Sequence, residues 1–216
     1  MNHCSDLESL YASFEKRLYR LTIELDHVRE IEGYRRRMIL AQVVVELDNL
    51  LLGCLREFLV SCLLGTRTVN GTRTASQQAL TSEGEASAFI MSSLNSFGYQ
   101  RMGSPATVPR RKEPTIRQPR DVEKVLLAAK ANNIVSVQRA LAFNFKFFDE
   151  IGSLRNFYCH RNKDTYDSAY SKARNWGATS RLHPDELVLK PRPGRPVPII
   201  RDWIGEARLF FEEITA

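Results

Sequence analysis

The sequence lacks the cysteine spacing of a zinc knuckle or a redox dithiol. Its four cysteines, Cys4, Cys54, Cys62 and Cys159, stand apart, so neither a metal site nor a disulfide framework is expected. Long uncharged apolar runs are missing too. The most apolar stretch, residues 38–64, is interrupted by Glu46, Asp48, Arg56 and Glu57, short of the ~18 apolar residues of a membrane span. The N-terminus has Asp6 and Glu8 in place of a basic start and an apolar stretch, so no signal peptide is expected. Neither a glycine-rich phosphate loop nor a strand–helix alternation is present, which removes the common nucleotide-binding α/β folds. These absences point to a cytoplasmic protein with reduced thiols, no cofactor and no membrane partner.

What is present is helical periodicity. The 216 residues are 43% hydrophobic and 26% charged, the composition of a globular chain, and residues 1–216 read as one domain. Leu7, Leu10, Phe14, Leu18, Leu21, Leu25 and Val28 recur every three or four positions, one apolar stripe of a long helix. Ser5 and Glu8 have the spacing of a capping box before it. A second long helix runs from about Arg35 to Leu64, with a polar stripe through Gln42, Glu46, Asn49, Gly53 and Glu57. Asp48 falls on its aliphatic side, where a carboxylate needs a partner. Shorter helices are expected over 83–97, from Asp121, over 149–162, over 166–176 and from Asp202. Residues 65–120 read as an irregular, basic insertion, and 99–119 as an exposed, mobile loop. Residues 186–201 have the turn Pro193-Gly194 between apolar pairs and are compatible with one small β-hairpin. The fold class is all-α, with at most that hairpin.

The net charge of +6 is unevenly distributed. Residues 101–120 hold six basic side chains against Glu113 alone, and residues 155–201 hold ten against four acidic ones. Clustered cations near loops suit a polyanion such as RNA. Arg110, Arg111, Lys112, Arg117 and Arg120 are therefore candidate phosphate contacts, as are Arg161 and Lys163.

One helix face carries chemistry. At 100° per residue, Asn156 lies roughly 40° from His160, and Arg155 roughly 140° away, all on one polar arc. Ile151, Leu154, Phe157 and Tyr158 fill the other. Cutting RNA without a metal requires a proton taken from the 2′-hydroxyl, a proton given to the 5′-oxygen and stabilisation of phosphorane charge. Histidine exchanges protons near neutral pH, arginine clamps phosphate oxygens in pairs, and asparagine orients either. His3, His27 and His183 have no companions that suggest nucleophilic catalysis. The single candidate histidine leaves one proton transfer unserved, which a two-fold dimer would supply.

Arg155-Asn-Phe-Tyr-Cys-His160 resembles the Arg-Asn-x-x-x-His signature of the HEPN superfamily. With 23 arginines and four histidines in the chain, chance yields about 0.4 Arg-x4-His pairs, and about 0.02 once asparagine must follow the arginine. Asn162 stands where one branch of the family has a modified tyrosine. The resemblance implies a HEPN-like helical bundle and a metal-independent endoribonuclease, with Arg155, Asn156 and His160 catalytic. It also implies a homodimer with a composite active site, an RNA substrate, a toxin or antiviral defence role, and an antitoxin or sensor partner. Two other readings stand beside it: an RNA- or nucleotide-binding module that does not cut, and a helical assembly adaptor.

Overall fold

The computed structural model describes residues 6–177 and 182–216. Among them the regular structure is entirely helical: α1 (Leu7–His27), α2 (Gly33–Leu64), α3 (Glu83–Ser93), α4 (Phe97–Arg101), α5 (Pro119–Ala128), α6 (Ile134–Ala142), α7 (Phe147–His160), α8 (Lys163–Asn175), α9 (Pro184–Val188) and α10 (Ile199–Thr215). The all-α class is therefore established. Every member of the α1 stripe, from Leu7 to Val28, is buried. Ser5 lies outside the described residues, and the contact seen at this helix start is Asp6, whose Oδ1 accepts from the Ser9 amide at 2.6 Å.

Two expectations change. Residues 186–201 form no strand; they hold the end of α9, the start of α10 and one isolated bridge between Pro191 and Pro198. Prolines supply no amide to extend a ladder, and Arg192 and Arg195 turn instead toward carboxylates. Nor is 99–119 simply exposed: Val108 and Ile116 are buried, and the Val108 amide donates to the Gly84 carbonyl at 2.9 Å.

The chain divides into two compact units. The first comprises Met1–Phe14, Leu52–Asn144 and Phe210–Ala216. Its ionic centre is the buried Arg56, which donates to Glu113 at 2.7 Å, Glu57 at 2.9 Å and Glu83 at 2.5 Å, while Ser87 also donates to Glu113. Burial alone would lower the Arg56 pKa, but these carboxylates hold it above the usual arginine value. Burial pushes the Cys62 thiol up to about 12, although Asn133 Nδ2 donates to its sulfur at 3.1 Å.

The second unit comprises Glu15–Leu51 and Phe145–Leu209, with α7 packed on α8 and α8 on α9. Four contacts fix α7 along its length. At its start, Glu206 Oε2 accepts from the Lys146 and Phe147 amides at 2.8 and 3.0 Å, giving free helix amides an acceptor. One turn on, Glu150 accepts from Trp203 Nε1 at 2.8 Å and pairs with Arg192. Burial raises the Glu150 pKa against the pull of Trp203 and Arg192. The third and fourth, through Arg155 and Tyr158, belong to the site.

By length and hydropathy α2 passes for a membrane span, yet 56% of that apolar stretch is buried in the protein. Leu40, Val43, Val44, Leu47 and Leu50 are all enclosed.

Candidate functional site

Arg155, Asn156 and His160 all sit on the last two turns of α7. Ile151, Leu154, Phe157 and Tyr158 are buried on one side, leaving Asn156 and His160 exposed. Arg155 is intermediate, its side chain 30% accessible. Its Nε is buried and lies 3.6 Å from Oδ2 of Asp48, whose side chain is only 2% accessible. The carboxylate that the sequence marks as needing a partner thus faces the arginine of the candidate motif. This contact is an ion pair slightly beyond hydrogen-bond length.

The pairing shapes what Arg155 can do. A guanidinium has five donors in a fixed fork, and it is Nε that pairs with Asp48. Nη1 donates to Asn156 Oδ1 at 3.4 Å, which ties the two polar residues together. The arginine is anchored from beneath while its outer nitrogens remain on the polar arc, an arrangement that suits an oxyanion ligand. Asn156 and His160 are four residues apart and so neighbours on the helix surface.

At its end α7 is stopped by Arg161, held in the left-handed region at φ 44° and ψ 40°. Asn162 then caps α8 by a full capping box with Thr165. Arg161 and Lys163 are both exposed. Arg110, Arg111 and Lys112 form an exposed 3-10 turn and Arg120 is exposed on α5, whereas Arg117 is partly enclosed. These five belong to the first unit, and the α7 residues to the second. Arg110 lies 3.5 Å from Glu57, so its charge is partly compensated.

The basic excess of residues 155–201 is smaller on the surface than along the chain. Arg192 pairs with Glu150 and Asp202, Arg195 with Asp202 at 2.5 Å, and Arg201 with Asp26. The hydrogen bond and charge of Asp202 raise the Arg195 pKa.

His183 has companions that the sequence did not show. Its Nδ1 lies 2.8 Å from Oδ2 of Asp185, which is itself buried and 3.5 Å from Arg37 Nε. Neither contact aligns as a hydrogen bond to Oδ2, whereas the Asp185 amide donates to Nδ1 at 3.3 Å. The Tyr158 hydroxyl donates to Asp185 Oδ1 at 3.0 Å. Burial, reinforced by the Asp185 charge, raises that hydroxyl pKa well above the usual value. This fourth contact on α7 brings His183 edge-on to Phe157, with ring centroids 5.7 Å apart. One signal for the cluster was legible in the sequence: Arg35, Arg36 and Arg37 open a helix with no acid in its first turn, where cations are unfavourable.

Among the described residues no group of acidic, histidine and cysteine side chains is arranged to hold a metal ion. No family model, curated protein or solved structure matches the chain.

Proposed function

We propose that this protein is a metal-independent endoribonuclease of HEPN type, a cytoplasmic toxin or antiviral defence effector. The observation that carries the reading is that Arg155, Asn156 and His160 share the last two turns of α7, with Arg155 bonded to Asn156 and anchored by Asp48. In the proposed reaction His160 takes the proton of the 2′-hydroxyl as its oxygen attacks phosphorus. The 5′-oxygen leaves with a proton from His160 of the partner subunit, and Arg155 stabilises the phosphorane charge. The products are a 2′,3′-cyclic phosphate and a 5′-hydroxyl. A homodimer is required because each chain offers one such face, and an antitoxin or sensor protein would restrain it.

A second reading draws on the same ion pair. If Asp48 fully occupies Arg155, the face binds RNA or a nucleotide without cutting it. Cleavage rates of labelled RNA by alanine variants separate the two. His160→Ala is expected to lose about 10²–10⁴-fold, the usual range for an acid–base group, with Arg155→Ala close behind and Asn156→Ala less affected. Wild-type rates in His160→Ala would remove the catalytic assignment, and retention of RNA without cutting would favour the binder.

A further inference from the structure

Beside the candidate face, and resting on the reading of this protein as a ribonuclease, we infer that the hollow where α2 begins is a subsite for one nucleotide of the RNA strand. Two adjoining pockets, of about 160 and 140 Å³, share Arg37, His183 and Asp185 as walls. Gly33, Arg36 and Glu186 complete one; Tyr34 and Arg161 help complete the other. Each is small against the roughly 300–1,000 Å³ of a pocket that encloses a whole ligand. Their content is a fragment of something longer.

Charge and shape identify the fragment. Arg36 lines the first pocket, Arg161 the second and Arg37 both, three cations against the carboxylates of Asp185 and Glu186. Arg36 and Arg37 stand in the first turns of a 32-residue helix, where the helix itself attracts anions and disfavours cations. A phosphate would satisfy both. Asp185, buried and held by Tyr158, lies behind Arg37 and His183, a fixed carboxylate that draws both toward the hollow. Tyr34 is 72% exposed, a ring with no cover on which a base stacks; such stacking is tolerant of sequence. Arg161 follows His160 directly, about 3.8 Å away at Cα. A strand whose scissile phosphate lies at His160 therefore reaches this hollow with a neighbouring nucleotide.

The test is fluorescence anisotropy with a labelled, 2′-O-methylated hexanucleotide, which has no 2′-hydroxyl to react and so reports binding alone. Arg36→Ala with Arg161→Gly should weaken binding at least tenfold and reduce the log–log salt slope by about 0.7 for each phosphate no longer neutralised. Glycine suits the left-handed backbone at 161, and a thermal melt confirms that the double variant folds. Tyr34→Ala should weaken binding at least fivefold. Arg174→Ala, an exposed cation on α8, should change it less than twofold. Absent binding by the wild type, wild-type affinity in the double variant, or equal weakening in Arg174→Ala would overturn the subsite. Unchanged affinity in Tyr34→Ala would do the same, leaving only an anion site. Subsite-dependent binding by a protein that never cuts ordinary RNA would instead overturn the nuclease and leave the subsite standing.

Discussion

At the scale of single residues, neighbours in the sequence have unequal roles in the fold. Asn156 and His160 are exposed, whereas Arg155 faces the buried Asp48 at 3.6 Å. Arg155→Ala should lower unfolding stability by about 2 kcal/mol, because it removes the cation beside a buried carboxylate. Asn156→Ala and His160→Ala should stay within about 0.5 kcal/mol, as surface changes do. Urea unfolding of the three variants checks this, and equal stabilities would show that the pair contributes nothing. Asp48 was legible in the sequence as a carboxylate in an aliphatic stripe, but its partner was not, since 107 positions separate them. His183 was missed for a related reason. Its meaning comes from Asp185, which looks like an ordinary loop acid until Tyr158 and Arg37 are brought to it.

At the scale of elements, periodicity carried most of the reading. The α1 stripe and the span of α2 follow from apolar spacing, and the structure buries those side chains. Proline-rich segments were less legible, because their partners lie elsewhere in the chain. The apolar pairs around Pro193-Gly194 look like a hairpin, yet Arg192 and Arg195 tie that segment to Glu150, Asp202 and Glu206. Counting charge along 155–201 likewise overstated the surface cations, since three arginines there meet carboxylates outside or at the edge of that window. The 110–112 turn keeps more of its charge exposed. Replacing Arg110, Arg111 and Lys112 with alanine should weaken binding to every RNA without altering the cleavage position, because phosphate contacts carry no sequence information. The salt slope should fall by about 0.7 for every phosphate that the turn had neutralised. An unchanged affinity and slope would assign the turn to an acidic protein partner.

At the scale of the whole molecule, stability should decline in alkali through Cys62. Its thiol pKa in the folded chain is pushed up to about 12 from an ordinary 9. The raised value means that this contribution is fully present below the unfolded thiol's pKa and is lost as pH climbs from 9 to 12, by about 1.4 kcal/mol per pH unit. In Cys62→Ala that part of the slope should disappear from denaturant midpoints measured across the same range; an identical slope would discount the thiol. The proposed chemistry also needs two chains. Sedimentation should give a dimer at micromolar concentration, and a monomer that still cut RNA would contradict the shared site. The central claim, that Arg155, Asn156 and His160 cleave RNA without a metal, is tested most directly by end-group analysis of RNA incubated with the wild-type protein in excess chelator. The account predicts fragments ending in 2′,3′-cyclic phosphate and beginning with 5′-hydroxyl; intact RNA, or fragments with 5′-phosphate ends, would contradict it.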